Sequence, residues 1–166
     1  GPVIDESAWT RLKGLVDDAV AGGATLLAGG ERPTGMNAGH FLAPTVLAGV
    51  TETMAVYREE TFGPIVSIVP FDDKTDLLRM ANDCEEGGLT AYVFTRDLAR
   101  AEHFSAHLRY GEIQINGVKY DIDLPHGGIG QSGVGHDCSA LALHDYLVQK
   151  RITRALDTTT FGGLNP

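Results

Sequence analysis

Between Ile65 and Asn116 the sequence alternates short β-rich runs with stretches of helical spacing, and no other feature constrains the fold as much. Ile65 to Phe71 is an apolar, β-branched run, and Asp72-Asp73 then offers an N-cap to a helix carrying Leu77, Leu78 and Ala81 that ends near Gly87-Gly88. Ala91 to Thr95 reads as a second strand. Asp97 to Leu108 has helical spacing through Leu98, Ala101, Phe104 and Leu108, and Gly111 stops it. Glu112 to Asn116 is a third strand, with Ile113 and Ile115 on one face. This alternation builds βαβ units, so the expected class is α/β, a largely parallel sheet with helices on its faces.

The flanks extend that reading. Asp5 is placed to cap a helix whose apolar stripe runs through Ala8, Trp9, Leu12, Leu15, Val16 and Ala19, and Gly22-Gly23 ends it. Ala24 to Ala28 reads as a short buried strand, residues 31 to 40 as a turn-rich loop, and Phe41 to Val50 as extended, with Pro44 keeping one end out of a central ladder. After the glycine-rich, aperiodic stretch 117 to 137 come a helix at about Ala140 to Val148 and an alternating strand at Gln149 to Leu156. Residues 157 to 166 read as a flexible tail. Gly1-Pro2 read as a scar left by a processing protease and are set aside, which leaves one domain over 3 to 156.

Thirteen Lys and Arg against twenty-two Asp and Glu give a net charge of -9, with no basic run, so a nucleic-acid backbone has no electrostatic footprint here. No segment approaches the roughly 18 consecutive apolar residues of a membrane span. Cys84 and Cys138 stand alone, which suggests a reducing, cytoplasmic setting.

Two segments can carry chemistry. In Glu59-Glu60-Thr61-Phe62-Gly63-Pro64, Pro64 disfavours a helical Gly63, so the segment reads as an extended lead-in to the strand at Ile65. Glu60 and Phe62, two apart, would then point the same way, a carboxylate for sugar hydroxyls and an aromatic for a flat ring. The second segment, Gly128-Ile129-Gly130-Gln131-Ser132-Gly133, matches a dinucleotide fingerprint by letter. Its strand ends too early, near Asn116, and no helix opens on it, so it is rejected as a phosphate loop and read as backbone lying close to a neighbouring layer. His126, His136, Cys138 and His144 fit no compact zinc spacing, and His103 and His107 lack the glutamate of a zinc-protease helix, so no metal site is expected.

Read together, the segments resemble the aldehyde dehydrogenase superfamily from about residue 3 to 156. Gly22 to Gly30, Gly39 to Leu47, Glu59 to Pro64, Ala81-Asn82-Asp83, Gly88 to Ala91, Gly111 to Asn116 and Pro125 to Gly128 with Ser132-Gly133 follow that family in order. The resemblance is to the C-terminal part of the catalytic domain. It implies oxidation of an aldehyde with NAD or NADP, through a thiohemiacetal on a cysteine. By this resemblance Glu60 holds the nicotinamide ribose and Phe62 flanks the same half of the cofactor. Residues 117 to 126, with Lys119, Tyr120 and His126, shape the substrate mouth.

The last strand matches the region through which the family forms homo-oligomers. The family's cysteine motif, catalytic glutamate and Rossmann domain match nothing in this chain, so no catalytic residue is assigned here. Alone it should be inactive and bind cofactor weakly or not at all. His126 stands where the family usually has Phe, and Gly130 where it has Lys or Arg. With Lys119, Asp121 and Asp123 nearby, these departures favour a small polar or anionic aldehyde. The alternatives are a CoA-acylating relative and a non-catalytic module that pairs through its last strand.

Overall fold

A computed structural model describes residues 1–72, 76–83 and 87–154 of the chain. Helix α1, Glu6–Ala21, begins where Asp5 accepts a hydrogen bond from the Ala8 amide and stops at Gly22. It buries Leu12, Leu15, Val16 and Ala19 of the apolar stripe read from the sequence, and leaves Ala8 and Trp9 half-buried. Strands β1 (Thr25–Ala28), β2 (Thr45–Ala48) and β3 (Ile65–Ile68) form one sheet in that order, β1 antiparallel to β2 and β2 parallel to β3. Leu15, Val16 and Ala19 pack with Ala24, Leu47, Val50 and Val56 into the main core. Val56 belongs to the short helix α2, Ala55–Arg58.

Helix α3, Leu77–Asn82, leads to a second sheet made of β4 (Thr90–Val93) and β5 (Glu112–Ile115), paired in parallel across α4, Leu98–His107. Its ties run both ways. The Tyr57 hydroxyl donates to the Met80 carbonyl, and the Tyr110 hydroxyl donates to that of Ala81. Asn82 bonds the His107 carbonyl and the Arg109 amide at the far end of α4.

The α/β class and the parallel pairing agree with the sequence reading, and several details differ. β3 and β4 lie in different sheets. The alternation specifies parallel pairing but not partners, and β3 pairs with β2. β1 is exposed along its length rather than buried, because it is the outer strand of its sheet, and a bulge shifts its register between Leu26 and Ala28. Asp76, not Asp72, caps α3, accepting from the Arg79 amide, and Asp73 lies outside the described residues.

The helix expected at 140 to 148 is a 3₁₀ segment, Ala140–Tyr146, that buries no residue. Without an apolar face to pack, a short helix has little to hold it in the α form. Residues 149–154 form no strand; 155 and 156, like the tail, lie outside the described residues. A strand exists only against a neighbouring ladder, and this one has none within the described chain. Gly1 and Pro2, set aside above, are tied into the fold: Gly1 exchanges hydrogen bonds with Leu42, and Pro2 bridges Phe41.

Candidate functional site

The Glu59–Pro64 turn joins α2 to β3, and three neighbours hold it. From α1, Arg11 donates to the carbonyl oxygens of Glu60 (3.3 Å) and Thr61 (2.7 Å). Gly63 lies so close to α1 that a Cβ on it would stand 2.5 Å from Leu12 Cδ1, and Leu12 is fully buried. From β2, the Thr45 amide donates to Pro64 O, while Ile65 N reaches back to Gly63 O. Thr45 itself is buried, and its hydroxyl accepts from Gly30 N and donates to Ala43 O.

These clamps produce a conformation the sequence does not announce. Phe62 has φ +45°, in the left-handed region, so the segment is not extended there, and the expected same-side alternation of Glu60 and Phe62 does not apply. Such a backbone costs a residue with a Cβ roughly 1–2 kcal/mol. The ring is 83% exposed, so burial of the side chain does not offset that cost. Glu60 is exposed as well.

The other expected site residues follow β5. Asn116, also at positive φ, ends the second sheet by bonding the amide and carbonyl of Thr95 through its side chain. Gln114 then receives the Lys119 amide (2.6 Å) and donates to Glu112, which accepts from the Thr90 hydroxyl. Lys119 stays 84% exposed, with its ammonium 3.5 Å from Asp121. Glu112, Gln114, Lys119 and Asp121 help line a hollow of about 450 Å³.

Tyr120 and His126 are brought together, their ring centroids 5.7 Å apart and nearly edge to face. The Tyr120 hydroxyl lies 2.6 Å from Cys138 Sγ, and that hydrogen bond pushes its pKa up to about 12. His126 exchanges main-chain hydrogen bonds with Asp137, and its Nδ1 stands 2.7 Å from Asp137 Oδ1. The bond from His126 holds the Asp137 carboxyl below its ordinary range. His126, Asp137, His136 and Asp145 border a second hollow of about 490 Å³.

The glycine-rich stretch has the close packing expected of it. A Cβ on Gly111 would collide with the Gly127 carbonyl, and one on Gly127 with that of Gly135. Gly130–Ser132 is a single 3₁₀ turn, not the opening of a helix. Among the described residues no three His, Cys, Asp or Glu side chains are grouped to hold a metal ion. His103 and His107 are exposed and stack on each other along α4. Cys138 is a free thiol, and Cys84 lies outside the described residues.

Thus Glu60 and Phe62 sit on the turn before the first parallel sheet pair is completed by β3, whereas Lys119, Tyr120 and His126 follow the second sheet. Sequence reasoning missed Arg11, Gln114 and Asp137. Arg11 bonds residues 49 and 50 positions away, which no local pattern signals.

A sequence model described as the aldehyde dehydrogenase family matches residues 1–152. The chain is 39% identical over 154 residues to a mitochondrial succinate-semialdehyde dehydrogenase of Oryza sativa, covering 92% of this chain and 28% of that protein. It is 34% identical to a peroxisomal aminoaldehyde dehydrogenase of Pisum sativum, covering 100% of this chain and 33% of the other. Among solved structures, a succinate-semialdehyde dehydrogenase from Burkholderia pseudomallei superposes with a TM-score of 0.81 at 40% identity, covering 89% of this chain and 30% of that one. A Mycobacterium tuberculosis aldehyde dehydrogenase complexed with NAD+ gives 0.80 at 36% identity, covering 88% and 30%. The chain therefore spans about a third of the length of the relatives it matches.

Proposed function

Because the chain belongs to the aldehyde dehydrogenase family, we propose that it forms the C-terminal part of an enzyme that oxidises a small polar aldehyde to its acid with NAD or NADP. The observation that carries this reading is the clamped turn that presents Glu60 and Phe62 beside β3. Those residues fit a dinucleotide. An exposed carboxylate can accept both hydroxyls of a ribose, and an exposed aromatic face can lie against a planar ring. When bound, the cofactor supplies the acceptor for the hydride that leaves the aldehyde carbon. Glu60 and Phe62 would orient it, and the nucleophile and general base would come from the rest of the enzyme.

Lys119, Tyr120 and His126 form the proposed mouth. With Nδ1 engaged by Asp137, His126 presents Nε2, a polar atom suited to a hydroxyl or amino group on the substrate. Lys119 could attract a carboxylate, but it already shares its charge with Asp121. A second reading, a cationic aldehyde, is favoured by the carboxylates of Asp121, 3.5 Å from Lys119, and Asp137, 2.7 Å from His126, with Asp123 close by in sequence. The pea relative's name places an amino group on its aldehyde, and the rice relative's name a carboxylate.

Glu60→Gln in the full-length enzyme should raise the KM for the nicotinamide cofactor and leave that for the aldehyde. An unchanged cofactor KM would remove Glu60 from the site. Comparing carboxylated, cationic and alkyl aldehydes of equal length tests the mouth: a preference for alkanals would defeat both readings of it. Titrating the isolated chain with NAD by calorimetry should give weak binding or none.

Residues 149–154, unpaired here, are proposed to add a strand to a partner subunit's sheet in a homo-oligomer. A truncation after Val148 that left the oligomer intact would contradict this. A cytoplasmic setting remains part of the proposal, on the free thiol of Cys138. Among the described residues no helix is long and apolar enough to cross a membrane.

A further inference from the structure

Glu60 and Phe62 can hold a cofactor half only if their turn keeps its shape, and the structure assigns that task to Arg11, a positioning residue on α1. The inference rests on the cofactor reading above and adds a residue to it. Arg11 occupies an exposed position on a helix that is otherwise fixed, with Leu12, Leu15, Val16 and Ala19 buried and Asp5 capping its start. Its hydrogen bonds go to two successive main-chain carbonyls, at 3.3 and 2.7 Å.

The planar fork of a guanidinium suits that geometry. Its nitrogens diverge at a fixed angle, so one side chain locks the peptide units on both sides of Thr61. The next residue, Phe62, is the one held at φ +45°. Left to itself, Phe62 would relax to negative φ and swing its ring away from the presented direction. Gly63 against Leu12 fixes the far side of the turn, and Arg11 fixes the near side. One helix therefore grips the turn at both ends, through adjacent residues.

A glutamine at position 11 loses the charge and the reach to both carbonyls. A lysine keeps the charge but offers a single point donor.

The test compares wild type, Arg11→Gln, Arg11→Lys and Glu60→Gln in the full-length enzyme. The readouts are calorimetric titration with NAD and NADP, the KM for the aldehyde, and amide hydrogen exchange across residues 60–63 without cofactor. Losing two charge-assisted hydrogen bonds that order the turn should weaken cofactor binding by about tenfold in Arg11→Gln. Exchange at the turn should quicken, the aldehyde KM should hold, and Arg11→Lys should fall between.

The inference is overturned if Arg11→Gln binds cofactor like wild type while Glu60→Gln binds it poorly. It is also overturned if cofactor and aldehyde affinity fall together with faster exchange throughout the protein, because Arg11 would then be merely structural. Should Arg11→Gln yield no folded enzyme, Arg11→Lys decides by the same readouts. Wild-type affinity in Glu60→Gln would bring down the cofactor reading itself, and this inference with it.

Discussion

His126 and Asp137 meet twice, exchanging main-chain hydrogen bonds of 2.9 and 2.8 Å and closing a side-chain contact of 2.7 Å between Nδ1 and Oδ1. The bridge fastens the proposed mouth to the start of the 3₁₀ segment. The Asp137 carboxyl is lowered from an ordinary 3.8, first by that hydrogen bond. A carboxyl lowered by folding contributes stability above its unfolded value and loses it as pH falls through the folded one. The bridge should therefore persist at neutral pH and open only below 3.8. Melting wild type and Asp137→Asn across pH should show a difference that shrinks in acid; a constant difference would contradict the assignment.

Tyr120 makes the opposite prediction. Its hydroxyl is raised from 10.0 to about 12, chiefly by the bond to Cys138. A tyrosine raised by folding contributes stability below its unfolded value and loses it as pH rises through the folded one, here between 10.0 and about 12. An ultraviolet titration should show one tyrosine ionising at about 12. Cys138→Ala should return it towards the ordinary value, and no change would show that the thiol is not its partner.

Phe62 trades stability for position. Asparagine tolerates the left-handed region far better than phenylalanine, and the ring is already in water. Phe62→Asn should hold or raise stability, by up to about 1 kcal/mol, while weakening cofactor binding. Denaturant unfolding and cofactor titration of the same variant check both halves. A marked loss of stability would mean that the ring packs on something in the whole enzyme.

Gly63 has no room to grow. A Cβ there would stand 2.5 Å from a leucine methyl that is fully buried and cannot swing into solvent. Gly63→Ala should destabilise by about 1–3 kcal/mol, the usual range for overpacking. Gly63→Ala combined with Leu12→Val should recover part of that loss in denaturant unfolding, since the pair share one volume.

The parts legible in sequence are those governed by local rules. Asp5 and Asp97 announce their helices through caps a few residues long, and the stripe from Leu12 to Ala19 is the buried face it reads as. Ile65 and Glu112 start the parallel strands expected of them. The remainder depends on distant partners. Phe62 is left-handed in a turn gripped by a helix some fifty residues earlier, and β3 turned out to pair with β2 rather than β4. Ala140 to Tyr146 has good helix formers but nothing to pack them against. Tyr120 and His126 were both named from the sequence, yet their partners Cys138 and Asp137 come from another part of the chain.

The bulge in β1 has a bearing on how this protein behaves in a crowded solution. An outer strand that exposes Leu26 and Leu27 would ordinarily be a template on which other chains add and grow. Leu27 falls between the paired residues Leu26 and Ala28, opposite no partner, so the ladder is interrupted halfway along four residues. An incoming segment would find no straight row of amides and carbonyls to copy. One surplus residue thus acts as a guard against fibril-like stacking, and deleting Leu27 should make the protein precipitate before it makes it unfold.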